Sequence, residues 1–299
     1  MPTTSTRHLI RALVVLFAGA GTLALTTGPA SAAVPGLVRV SATSVNDASD
    51  IKSVIATCPA GKQLTGTGYV INGATGEVVV DDLRPNGGAA VAPTSVTVGA
   101  YEEDPLAASW SVTAYAICAN PVPGLVRVAV TGALNSDDFH STTATCPAGK
   151  TLTGTGFEMN GATGDAVVDD LRPNGGVAVA PTSVTVGAYE TDPNVVPNWS
   201  LTAYAICGNA LPGQSRAILA GAVSSDDFHP ATATCPAGKR LTGGGFEMNS
   251  TTGEAVVDDF TPNGGPAVAP TSISSGAYEA DPNFVPTWSL IGYGICANA

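Results

Sequence analysis

Six cysteines cut this chain into three matching pieces, and that division limits the fold more than any other feature. Cys58, Cys146 and Cys235 each open the run Cys-Pro-Ala-Gly-Lys, while Cys118, Cys207 and Cys296 each close a run ending Tyr-x-Ile-Cys. The first members lie 88 and 89 residues apart, the second members 89 and 89. Self-similarity at a fixed period sets the domain count before any local reading begins. The expected organisation is therefore three tandem repeats, at 33–120, 121–209 and 210–299, behind a leader at 1–32. Within that leader Arg7 and Arg11 supply a positive start, Ala12 to Leu25 an apolar run, and Ala30-Ser31-Ala32 a small-residue cleavage site. The pattern is that of a secretory signal peptide. No later apolar run is long enough to span a bilayer as a helix, so no membrane insertion is expected after cleavage.

Six cysteines in an exported chain read as three disulfides. Zinc is the competing reading, but no pair has close Cys-x-x-Cys spacing and no histidine pair adds ligands. Because each copy carries one cysteine of each type, pairing within a repeat is favoured: Cys58 with Cys118, Cys146 with Cys207, Cys235 with Cys296. A link across a boundary, such as Cys118 to Cys146, stays open on sequence alone. Closing a loop of about 60 residues removes denatured-state entropy equivalent to about 4 kcal/mol, a useful contribution in a unit whose core is modest.

Short apolar stretches separated by turn residues fill each repeat. In the second, Leu125 to Val130, Thr142 to Thr145, Leu152 to Met159, Ala166 to Val168, Thr182 to Val186 and Trp199 to Cys207 alternate with Pro-Ala-Gly, Asn-Gly and Pro-Asn-Gly-Gly turns. No helical periodicity appears in the mature chain. The fold class is thus all-β, with antiparallel sandwich-like repeats. The connectors around Pro121-Val122-Pro123 and Leu211-Pro212-Gly213 are too short to be tethers, so the repeats must touch, either in a row or around a pseudo-threefold axis. In the last strand Trp110, Val112, Ala114, Ala116 and Cys118 alternate onto one face, with Trp199 and Trp288 placed likewise, which suggests a tryptophan packed beside each disulfide. Tyr115, Tyr204 and Tyr293 point the other way.

The chain carries 12 Lys+Arg against 24 Asp+Glu, and removing Arg7 and Arg11 leaves ten against 24, or −14. Nucleic acid and anionic lipid need cationic surface, so partners should be neutral or cationic. No cofactor is expected. Three constellations invite a functional reading. The doublets Asp81-Asp82, Asp169-Asp170 and Asp258-Asp259 could supply carboxylates to calcium, although neighbours on a strand face opposite ways. Asp138, His140 and Ser141 look like material for nucleophilic catalysis, yet Pro230 follows His229 in the third copy and Lys52 replaces the histidine after Asp50 in the first. Tyr101-Glu102, Tyr189-Glu190 and Tyr278-Glu279 pair an aromatic ring with a carboxylate, as sugar sites do; three weak copies would act through avidity.

The run Cys-Pro-Ala-Gly-Lys-x-Leu-x-Gly-x-Gly-Phe at 146–157, with Trp-Ser-x-x-Ala-Tyr-Ala-Ile-Cys at 199–207, resembles a repeat of secreted actinobacterial proteins. The likeness spans nearly all of the mature chain; Tyr69 stands for the phenylalanine in the first copy. It implies an exported, disulfide-bonded β-repeat and carries no activity with it. The expectation for function is a secreted, non-enzymatic binding or structural protein of the cell surface or medium, its partners cell-wall or extracellular glycans or another secreted protein. A trivalent carbohydrate-binding protein is the first alternative, and a secreted protease inhibitor or hydrolase the second.

Overall fold

A computed structural model describes residues 34–191, 195–280 and 284–299. The signal peptide expected at 1–32 lies outside the described residues, as do the Asp-Pro segments at 192–194 and 281–283. The described residues contain strands and no α-helix, hence none long and apolar enough to cross a membrane. The first repeat gives β1 (Val38–Thr43), β2 (Ile51–Thr57), β3 (Gln63–Asn72), β4 (Val78–Asn86), β5 (Ser95–Glu102) and β6 (Ser111–Ala119). The second gives β7 (Val126–Thr131), β8 (Phe139–Thr145), β9 (Lys150–Asn160), β10 (Ala166–Asn174), β11 (Ser183–Glu190) and β12 (Ser200–Asn209). The third gives β13 (Ser215–Ala220), β14 (Phe228–Thr234), β15 (Lys239–Asn249), β16 (Ala255–Pro262), β17 (Ser272–Glu279) and β18 (Ser289–Asn298).

Each repeat is a small sandwich. In the first, the three strands β1-β6-β3 pack over β2-β5-β4, and Cys58–Cys118 ties the two layers; Cys146–Cys207 and Cys235–Cys296 do the same in the other copies. No cysteine is free. Yet neither layer ends at the repeat boundary. Each continues into the neighbour to make three six-stranded antiparallel sheets, ordered β1-β6-β3-β16-β17-β14, β2-β5-β4-β9-β12-β7 and β13-β18-β15-β10-β11-β8. The third repeat thus pairs back onto the first, and the copies close around a pseudo-threefold axis rather than stacking in a row. The described residues form one compact unit.

The glycines of the central strands explain how the ring can close. A Cβ on Gly66 would lie 2.2 Å from the carbonyl of Thr242, one on Gly154 2.2 Å from that of Thr65, and one on Gly243 2.4 Å from that of Thr153. Three backbones meet there at a separation that only glycine allows. Threonines stitch the same level, Thr67 donating to the Thr155 carbonyl at 2.7 Å and Thr155 to that of Gly244 at 2.6 Å. Tyr69, Phe157, Phe246 and Phe260 fill the space beside them, fully buried.

The Pro-Asn-Gly-Gly segments serve the ring as well. The loop after each becomes a clasp on the next repeat: Ala90 and Val91 exchange backbone hydrogen bonds with Arg127, Ala178 and Val179 with Arg216, and Ala267 and Val268 with Arg39. Ala90, Ala178 and Ala267 adopt φ of 57°, 61° and 59° to do so, a left-handed conformation with a modest cost for a residue carrying a Cβ.

One expectation needs correcting. The tryptophans and cysteines do share a strand face, but eight residues at about 3.3 Å each place them about 26 Å apart. The disulfide clamps one end of the sandwich and the tryptophan the other. Trp199 packs on His140, ring centroids 4.0 Å apart, and Trp288 on His229, also at 4.0 Å. In the first repeat the Lys52 ammonium takes that place, 4.9 Å from the Trp110 ring centre, an attraction of cation for ring face.

Candidate functional site

The histidines sit on β8 and β14, whose side chains alternate inward and outward. His140 and His229 point in and are 6% and 2% exposed, so Ser141, one residue on, faces the opposite side. The expected pairing of Ser141 with His140 therefore does not form; in the third repeat His229 Nε2 instead lies 3.5 Å from the Ser224 hydroxyl, which also donates to Asp226. Burial beneath Trp199 lowers the His140 pKa, against the opposing pull of Asp137 and Glu190. Asp138 contributes its backbone carbonyl to Glu190 N–H, at 3.0 Å, with Asp227 and Asp50 accepting from Glu279 and Glu102 in the same way. Lys52 pairs with and hydrogen-bonds Asp47.

The Tyr-Glu pairs divide between two environments, because adjacent strand residues face opposite ways. Glu102 is buried and accepts from the Trp110 indole N–H at 2.7 Å and the Leu106 backbone N–H at 2.7 Å. Glu190 accepts from Trp199 at 3.0 Å, and Glu279 from the Val285 backbone at 3.1 Å. These carboxylates hold the loop that caps each sandwich. The tyrosines lie outside, half-buried. Tyr189 packs on Phe139 and Tyr278 on Phe228, both with centroids 4.5 Å apart, while Tyr101 pairs across the strands with Ile51. Beside Tyr101 lies a hollow of about 500 Å³ bordered by Asp50, Glu103 and Thr163. Burial and neighbouring carboxylates push Glu103 up to about 7.

The aspartate doublets are β-bulges. Register jumps between Val80 and Asp82, Val168 and Asp170, and Val257 and Asp259, which leaves Asp81, Asp169 and Asp258 as the extra residues. All three are buried at the boundary with the next repeat. Asp169 accepts from the Thr251 hydroxyl at 2.6 Å, and Asp258 from the Gly76 backbone N–H at 2.9 Å. Desolvation pushes each of the three up to about 8, so they enter the fold as neutral acids. Among the described residues no three potential metal ligands converge.

The outer faces of the sheets hold an arrangement that the cysteine and acid motifs did not announce. Arg39, Arg127 and Arg216 lie over the rings of Tyr115, Tyr204 and Tyr293, at 4.7, 4.9 and 4.9 Å. Each also reaches across the boundary toward a proline carbonyl, Arg39 to Pro262 at 2.7 Å and Arg127 to Pro85 at 2.9 Å, with Arg216 to Pro173 equivalent. On two sheets the ladder continues. Tyr204 donates to Glu158 and Tyr293 to Glu247, and those glutamates pair with Arg84 at 3.0 Å and Arg172 at 3.2 Å. A signal existed in the sequence: of the ten Lys and Arg after the leader, three recur at one repeat position, which is costly to keep in so acidic a chain unless each is placed.

The chain matches no protein-family model, and a search of curated proteins gives no match. Function must therefore be argued from these groups.

Proposed function

We propose that this is an exported, non-enzymatic binding protein whose repeated polar groups are spent on closing the ring. The observation that carries the reading is the fate of its titratable side chains. The histidines are pinned under tryptophans, the glutamates of the Tyr-Glu pairs hold the capping loops, and the bulge aspartates are buried between repeats. A hydrolase needs a base or nucleophile poised in an accessible cleft, and none of these groups is free to act there. Three disulfides suit an oxidising, extracellular setting, in keeping with the signal-peptide pattern and the resemblance to secreted actinobacterial repeats.

Glycans are the ligand class that the surface favours. The Phe139–Tyr189 and Phe228–Tyr278 pairs offer partly exposed rings beside carboxylates, and the acidic surface repels nucleic acid and anionic lipid. The test is retention of the mature, oxidised protein on chitin, peptidoglycan and other insoluble wall glycans, with released soluble sugar measured in the same tubes. Retention without release supports the reading. Steady turnover that His140→Ala abolishes would replace it with an enzymatic one.

A further inference from the structure

The three outer sheet faces follow one plan, and one of them breaks it. On β4–β9 and β10–β15, Asp82 faces Glu158 and Asp170 faces Glu247 across the strands. Arg84 and Arg172 neutralise those glutamates, and the resulting ladder covers the tyrosine: Tyr204 is 5% exposed and Tyr293 4%. On β16–β3 the glutamate is replaced by Val70 and the arginine by Thr261, with Asp259 facing Val70. Val70 cannot accept from a phenol. Tyr115 is accordingly left partly exposed, and the space vacated is a groove of about 520 Å³ between the first and third repeats.

The groove has the make-up of a small-ligand site, in a size range where such sites are found. Tyr115 forms one wall and Phe228, 38% exposed, the other. Asp259, Asn72, Thr232 and Thr261 supply polar groups along it. Asp259 has neither a facing carboxylate nor an arginine partner, so its oxygens are open to hydroxyl donors. Arg39, at the edge of the groove, already lies over the Tyr115 ring and donates to the Pro262 carbonyl. For an anionic ligand the Asp259 carboxylate in the groove would be repulsive. A pyranose ring offers what the groove lacks: apolar C–H faces for the aromatic walls, and hydroxyls that donate to a carboxylate and exchange hydrogen bonds with amide and hydroxyl groups.

We infer that this chain carries one binding site for a neutral, pyranose-containing oligosaccharide, in the furrow between β6 and β14, and that the other two furrows are closed to it by their Arg–Glu–Tyr ladders. The inference rests on the glycan reading above and narrows it from three equivalent positions to one. The test is calorimetric titration of the mature protein with chitotetraose, cellotetraose, xylotetraose and maltotetraose. At least one should bind with a stoichiometry of one per chain. The double variant Val70→Glu/Thr261→Arg, which installs the residues of the other two faces, should weaken that binding at least about tenfold while Tm holds or rises. Phe228→Ala, at an exposed position, should weaken it too and covers the case in which the double variant misfolds. Three sites per chain, or unchanged binding in a folded double variant, would overturn the single-furrow assignment and leave glycan recognition intact. So would retention on an insoluble glycan with no response to any of the four sugars. Failure both of these titrations and of retention on every wall glycan would remove the glycan reading itself.

Discussion

Replacing the three bulge aspartates by asparagine should make this protein more stable in mild alkali. Asp81, Asp169 and Asp258 are pushed up to about 8 in the fold by burial, whereas an aspartate in the unfolded chain titrates near 3.9. A raised folded pKa means that the stabilising contribution is complete below about pH 4 and is lost as pH climbs through about 8, because unfolding then releases protons. Between pH 6.5 and 8 each carboxyl costs at most about 1.4 kcal/mol per pH unit, the slope halving as pH reaches the folded value, or about 1.6 kcal/mol over the window and about 5 kcal/mol for all three. That window also lies above the range in which neutral His140 would act in the opposite sense. Asparagine matches the shape of the protonated acid, does not titrate, and its carbonyl oxygen can still accept from Thr251 and from Gly76. The assay is urea unfolding followed by the fluorescence of Trp110, Trp199 and Trp288, all fully buried. Wild type should lose stability steeply from pH 6.5 to 8, and the triple variant should lose much less, with Glu103 and the other carboxyls that burial raises, Asp82, Asp165, Asp170 and Asp259, still contributing in the same direction. A flat wild-type profile, or a triple variant weaker than wild type at pH 8, would refute the argument that these acids fold neutral.

Four further outcomes follow. Gly154→Ala drives a Cβ to within 2.2 Å of the Thr65 carbonyl, so the ring should fail to close; loss of soluble folded protein on expression checks it, and Gly61→Ala serves as a comparison at a glycine with open space around it but a φ of 78°. Trp199→Ala should destabilise by about 3–5 kcal/mol through the cavity it leaves and the His140 ring it uncovers, read as a drop in the urea midpoint. Breaking Cys146–Cys207 should cost about 4 kcal/mol, and non-reducing peptide mapping should find only within-repeat bonds. Trypsin should leave the oxidised protein intact and degrade the reduced form, since cleavage needs local opening; equal digestion of both would mean that the cross-links do not brace the repeats.

Much of the fold was legible because the repeat is strict. The cysteine period gave the copies, their parity gave the disulfides, and strand-length apolar runs between turns gave an all-β chain. What could not be read was the pairing between copies. A two-residue register such as Asp259 to Val70 joins the third repeat to the first across most of the mature chain's length, and nothing local in either strand names its partner. The Trp–His clamp escaped for a related reason: alternation assigns a face, but position along the strand decides what lies opposite. Among the site residues, the aspartate doublets drew attention for charge, whereas a bulge and a repeat boundary make one member of each neutral. Val70 and Thr261 attracted none, because an exception is informative only after the ladder it breaks is known.

The three copies form one structure, and its furrows lie where two repeats meet. The direct measurement is the folding of residues 121–209 expressed alone, set against the whole mature chain. Both half-sheets of that repeat end at strands that need a neighbour, β9 on β4 and β10 on β15, so the isolated piece should show no cooperative unfolding transition as a monomer. The whole chain should unfold in a single step seen equally by all three tryptophans. A monomeric 121–209 that unfolds cooperatively on its own would contradict the closed ring and the furrows that depend on it.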